Sequence, residues 1–93
     1  MAEVLVIPMS ENEMGAAVST AAALRASGIR TDVYSLSKGM KQKMKYASRL
    51  GVPYIVLIGE DEAAKGLVAL KNMQTGEQQV LTAEEAIQIV GRK

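Results

Sequence analysis

At 93 residues and 48% hydrophobic content, with 11 basic against 10 acidic side chains, the chain has the length for one domain of modest core and a net charge of +1. It holds no cysteine and no histidine, which excludes disulfides, thiol chemistry, histidine general bases and the usual zinc ligand sets. Three tyrosines with no Trp or Phe argue against a stacking platform of several rings, and no run is long enough to span a membrane.

Taken in order, Glu3 arrives at once and the apolar run after it is short. No signal peptide is therefore expected, and the cytoplasm is the default compartment. Val4 to Ile7 reads as a strand covered on both faces, ended by Pro8. Ser10-Glu11-Asn12-Glu13 has the form of a capping box, with Ser10 as N-cap and Glu13 reaching back. The alanine-rich helix that follows, to about Ser27, places Met14, Ala17, Val18, Ala21 and Leu24 on one face, and Gly28 suits its C′ position. Ile29 to Tyr34 alternates apolar and polar residues, as a strand at a sheet edge does.

A second helix is expected from about Gly39 to Leu50, with Ser37 as a candidate cap. Met40, Met44, Ala47 and Leu50 fall on one side of it; Lys38, Lys41, Gln42, Lys45 and Arg49 project on the other. Gly51 and Pro53 stop this helix. Tyr54 to Ile58 is a third, central strand, and a loop or helical turn carries Glu60-Asp61-Glu62 to Gly66. Leu67–Lys71 and Gln78–Leu81 flank Thr75-Gly76 as a hairpin, with Gly76 suited to positive φ. Thr82-Ala83-Glu84-Glu85 is a second capping box, opening a helix that presents Ala83, Ala86, Ile87 and Val90. The order predicts an α/β fold in three layers, α/β/α, as a single domain over residues 1–93. Its mixed sheet has about five strands, with three helices. Right-handed crossovers put the first and third strands side by side in the middle and the hairpin at one edge.

Nothing in the string supports catalysis. The serines lie in caps or helices without a recognisable base, and the glycines form no phosphate-cradling loop. Charge is segregated instead. No acid occurs between Asp32 and Glu60, while Lys38, Lys41, Lys43, Lys45 and Arg49 give that stretch five positive charges. A charged outer face is ordinary on an amphipathic helix. A solvated helix usually mixes signs for i,i+4 pairing, however, so the missing acids point to a polyanion, with Lys38, Lys41, Lys45 and Arg49 forming a ridge that follows a phosphate backbone. Met40 and Met44 read as core filler. The triplet Glu60-Asp61-Glu62 has three readings: a solvated acidic turn, a metal site, or a carboxylate that accepts from the N1 and N2 donors of guanine.

The strings KQKMKYA, GEDE and KNMQTGEQ, with VLVIP at the start, resemble the C-terminal anticodon-binding domain of class II aminoacyl-tRNA synthetases, most closely the histidyl branch. The resemblance covers essentially the whole chain and implies an α/β domain with a five-stranded mixed sheet and three helices. It also implies binding of the histidine tRNA anticodon loop, with recognising residues drawn from the second helix, the third strand and the loops beyond it. Carried over, these are Lys38, Lys41, Gln42, Lys45, Tyr54 and Glu60, to which the ridge adds Arg49 and the acidic turn adds Asp61 as RNA-binding candidates. The catalytic core is missing, so the chain reads as a non-catalytic excised domain that takes no cofactor. ATP and Mg are expected only in that core, and the partners implied are the tRNA and the core of a homodimeric parent. The alternative is a protein-interaction or dimerisation module reusing the same fold.

Overall fold

The computed structural model describes residues 2–35 and 38–91, and among them it holds five strands and four helices. Strand β1 (Val4–Pro8) is buried along its whole length. A single 3-10 turn, Glu11–Glu13, leads into helix α1 (Met14–Ala26), and the chain returns through β2 (Thr31–Val33). Helix α2 (Met40–Leu50) then connects to β3 (Tyr54–Ile58), α3 (Glu60–Lys65), the hairpin strands β4 (Val68–Asn72) and β5 (Gln78–Leu81), and α4 (Ala83–Gly91).

The sheet order is β2-β1-β3-β4-β5, with β1 parallel to β2 and to β3 and the hairpin antiparallel. The expected placement of β1 beside β3, of β2 at one edge and of the hairpin at the other is what forms. The first crossover steps outward from β1 to β2, and the second steps back over β1 to β3. Two right-handed crossovers running in opposite directions must place their helices on opposite faces. Val4, Val6, Val56, Ile58, Val68 and Leu70 accordingly pack with Ala17, Ala21 and Leu24 of α1 and with Ala86 and Val90 of α4. On the other face Leu5, Ile7 and Ile55 pack with Tyr34, Val52 and Ala47 of α2. The chain thus reverses direction at β1 and β3, and the crevice outside their carboxyl ends is where open α/β sheets place ligands.

Local chemistry explains the boundaries and several departures from the pattern. Thr82 and Glu85 form the reciprocal box, the Glu85 N–H donating to Thr82 Oγ1 at 3.1 Å and the Thr82 N–H to Glu85 Oε1 at 2.9 Å. Ser10 does not. The 3-10 turn brings the Asn12 N–H to Ser10 Oγ, and the Ser10 hydroxyl donates to Glu13 Oε1 at 2.8 Å. Helix α1 ends in a Schellman arrangement, with the Ile29 N–H on the Leu24 carbonyl and the Gly28 N–H on that of Arg25; Gly28 takes φ 83, which a side chain would strain. Ser37, the expected cap of the second helix, lies outside the described residues; Gly39 is the N-cap and contributes no side-chain bond. Val18, expected in the α1 stripe, is 54% exposed and is not part of the core that packs on Ala17, Ala21 and Leu24. The acidic segment after β3 is helical, which makes the helix count four.

Candidate nucleic-acid interface

Lys41, Gln42, Lys45 and Arg49 all project from α2 into solvent, and Lys38 stands exposed just before its first turn. Among the described residues no carboxylate lies within ion-pair distance of any of these four cations; the pair found is Glu3 with Arg30. Lys41 and Lys45 are one turn apart, about 6 Å along the axis, where two like charges repel by about 0.7 kcal/mol in water. An anion laid along the ridge relieves that repulsion and releases its own counterions.

Lys43 belongs to the same basic run and has a different fate. It is 4% exposed, with its Nζ donating to the Pro8 carbonyl at 2.8 Å and 3.5 Å from the Met9 carbonyl. The ammonium also lies 5.8 Å from the centre of the buried Tyr34 ring, within cation–π range. Tyr46, exposed on α2, meets that ring edge-on with centroids 5.3 Å apart. Lys43 therefore ties α2 to the carboxyl end of β1. It lines a cavity of about 640 Å³ together with Pro8, Met9, Ser10, Met14 and Tyr34, and Lys38 contributes to the same wall. The ridge and the crevice are continuous through Lys38.

The acidic triplet divides by role. Glu62 reaches back to accept from the Gly59 N–H at 2.8 Å, capping α3, while Glu60 and Asp61 stay exposed in the first turn of α3. At Gly59 the Glu62 carboxylate and the Met9 thioether lie close to the backbone, so that a Cβ there would come 2.7 Å from Glu62 Oε1 and 2.9 Å from Met9 Sδ and would displace the ends of those side chains. The Met9 N–H bonds the Ile58 carbonyl, so the ends of β1 and β3 are held together; Glu60 leaves the end of β3 two residues on and is not among the residues that line the cavity. Among the described residues no three carboxylates gather to hold a metal ion.

Tyr54 is not brought to this cluster. It opens β3 and pairs with Val4, so it lies about 13 Å from the strand's carboxyl end. Its ring packs half-buried against the core on the α1 and α4 face, near Leu70 and Ile89. The string Tyr54 to Glu60 is continuous in sequence, but strand geometry separates its two ends.

Lys43 is the residue that the charge pattern hides. At 100° per residue it falls between Ala47 and Leu50, inside the apolar arc of α2, and a lysine in that arc was the available signal. Arg25 was missed as well. Its guanidinium donates twice to the Thr31 carbonyl, through Nε at 2.9 Å and Nη2 at 2.6 Å, occupying an acceptor at the start of edge strand β2.

A five-stranded mixed sheet with helices on both faces defines an α/β module of the kind that aminoacyl-tRNA synthetases carry. The chain belongs to the anticodon binding domain family, whose model matches residues 3–93. Among its relatives, the histidine–tRNA ligase of Porphyromonas gingivalis is 40% identical over 84 residues, 90% of this chain and 18% of that protein. The enzyme of the same name from Caulobacter vibrioides is 44% identical over 73 residues, 78% of this chain and 15% of that protein. The crystal structure of histidyl-tRNA synthetase from Nostoc sp. PCC 7120 superposes with a TM-score of 0.92 at 26% identity, covering 98% of this chain and 22% of that one. The RNA binding domain of threonyl-tRNA synthetase from Cryptosporidium parvum shares the fold at a TM-score of 0.91 and 24% identity, covering 97% of this chain and 23% of that one. The chain spans about a fifth of the length of the ligases it matches. Among the described residues no helix is long and apolar enough to cross a membrane.

Proposed function

We propose that this chain is the anticodon-binding domain of a histidine–tRNA ligase and holds the anticodon loop of histidine tRNA. The observation that carries the reading is the cationic ridge on α2, which has no carboxylate partner among the described residues, in a chain of the anticodon binding domain family. Lys38, Lys41, Lys45 and Arg49 hold loop phosphates, and Gln42 between them offers both a donor and an acceptor. Glu60 and Asp61, at the carboxyl end of the central strand, face bases turned inward from the ridge. A carboxylate accepts from N1 and N2 of guanine, whereas adenine presents an acceptor at N1. The histidine anticodon contains guanine, so this chemistry agrees with the family reading.

The charging reaction, with its ATP and Mg, belongs to the catalytic core of a homodimeric parent in the cytoplasm. This domain contributes selection of the tRNA, without a cofactor of its own and without a membrane partner. The test is binding of the chain to a histidine anticodon hairpin and to a hairpin of the same stem and length with a scrambled loop. The authentic loop binds about tenfold tighter on this account; equal affinity for the two overturns it.

A further inference from the structure

We propose that β5 is an open sheet edge that pairs antiparallel with β5 of a second copy of this chain, joining the two sheets across a two-fold axis at Gln79. The inference is independent of the RNA reading and concerns the hairpin edge of the sheet.

The two edges of the sheet are built differently. Strand β2 is short, carries the exposed charge of Asp32, and has its Thr31 carbonyl occupied by the Arg25 guanidinium. These are devices that keep an edge from pairing. Strand β5 has none of them. Gln78–Leu81 holds no charge and no proline, and its register with β4 runs without a bulge from Val68 opposite Leu81 to Lys71 opposite Gln78. Gln78, Gln79 and Val80 are all exposed although successive side chains point to opposite faces, so neither helical layer reaches over the strand. Val80, at 58%, is the most exposed large hydrophobic side chain among the described residues.

The hairpin ladder sets the register of such a pair. At its closed end the Asn72 N–H donates to the Glu77 carbonyl at 2.9 Å. Bonded pairs alternate along an antiparallel ladder, so Glu77, Gln79 and Leu81 turn their backbone groups toward β4, while Gln78 and Val80 turn theirs outward. A two-fold axis at Gln79 sets Gln78 of each copy opposite Val80 of the other, and these pairs exchange every outward N–H and C=O of both residues. An axis at Val80 would instead set Gln78 opposite Thr82, whose N–H already donates to Glu85. The side chains suit the same register. At the axis Gln79 meets its own copy at a Cα separation of about 4.5 Å. An amide carries both a donor and an acceptor and is therefore self-complementary across a two-fold, as a lysine or glutamate would not be. Glu77 falls opposite Leu81, so no like charges are set opposite one another. The fit is to the strand's own sequence, which selects a second copy over an unrelated extended segment.

The test is sedimentation equilibrium of the chain from about 5 µM to about 0.5 mM, where an interface this small gives a reversible dimer with a dissociation constant on the order of 10–100 µM. Val80→Pro removes an outward N–H that takes no part in the β4 ladder, at an edge position that tolerates proline. It is expected to raise the dissociation constant about tenfold or more. Because the chain has no cysteine, Gln79→Cys gives a single thiol that meets its own copy within the range a disulfide bridges. Asp32→Cys, exposed on the guarded edge, measures crosslinking by random collision. Under mild oxidation the cysteine at 79 is expected to form covalent dimer about tenfold faster than the one at 32. If Val80→Pro does not fold, the two cysteine variants decide alone. A wild type that stays monomeric over the whole range overturns the proposal. So does a folded Val80→Pro that dimerises like wild type, or a cysteine at 79 that crosslinks no faster than one at 32. No readout involves RNA, so failure of the anticodon reading leaves this test intact.

Discussion

The ammonium of Lys43 and the carbonyl of Pro8, separated by 35 residues in the chain, meet at 2.8 Å where β1 leaves the sheet. The bond joins the helix that carries the cationic ridge to the strand end that forms the crevice. Replacing Lys43 by Ala removes both the buried stem and the donor, leaving a buried carbonyl without its partner. The expected cost is about 2–3 kcal/mol. Lys41→Ala, two residues away and exposed, stays within about 0.5 kcal/mol. Urea unfolding of the two variants checks this; equal midpoints would contradict the burial of Lys43.

The ridge is an electrostatic device, and salt reports on it. Neutralising Lys41 and Lys45 together weakens hairpin binding and flattens the slope of log affinity against log salt. Two lost single-strand phosphate contacts correspond to a slope change of about 1.4. Because both side chains are exposed and have no ion-pair partner among the described residues, the unfolding midpoint stays within the range of surface substitutions. An unchanged slope would move the phosphate track off α2.

Glu60 and Glu62 are two residues apart and have separable roles. Glu60→Gln keeps the shape and replaces an acceptor oxygen by a donor, so the preference for guanine over adenine in the loop falls by about 1.5–3 kcal/mol with stability unchanged. Glu62→Ala removes the acceptor of the Gly59 N–H, costs about 1 kcal/mol of stability through the lost cap, and leaves the base preference intact. Hairpin titrations with guanine or adenine at each anticodon position, set beside thermal melts, distinguish the two. A Glu60 variant that weakens all hairpins equally, or none, reduces Glu60 to a solvated turn residue.

Tyr54 supplies a negative control within the same strand. Its ring packs on the α1 and α4 face at the opposite end of β3 from Glu60. Tyr54→Phe therefore leaves hairpin affinity within about twofold, as expected for a group that RNA on α2 does not touch. A tenfold loss in the same titration would place RNA on the other face of the sheet.

The elements were legible where a short pattern decides the backbone. Val4 to Ile7, the break at Gly51 and Pro53, and the positive φ of Gly76 follow from local sterics and burial. Two similar capping strings show the limit of such patterns. Thr82 and Glu85 close the reciprocal box, whereas the 3-10 turn after Ser10 redirects its hydroxyl to Asn12 and Glu13. The exposed ridge was legible because solvent exposure on α2 follows the helical period. Lys43 was not, because counting charges along a run hides the one lysine whose angular position faces the sheet. Tyr54 enters the candidate set with Glu60 because the family resemblance draws recognising residues from the third strand as well as from the loop beyond it. A strand places alternate residues on opposite faces and separates its ends by its full length, which proximity in the string does not reveal.

RNA that lies along α2 and reaches the crevice at the ends of β1 and β3 perturbs a defined set of backbone amides. The most direct measurement is amide shift mapping of the isotope-labelled chain on addition of a histidine anticodon hairpin. Perturbed amides are expected to gather in residues 38–49, 9–14 and 59–62, while β4, β5 and α4 stay unmoved. Perturbations centred on the hairpin or on the α1 and α4 layer, with α2 silent, would contradict that placement.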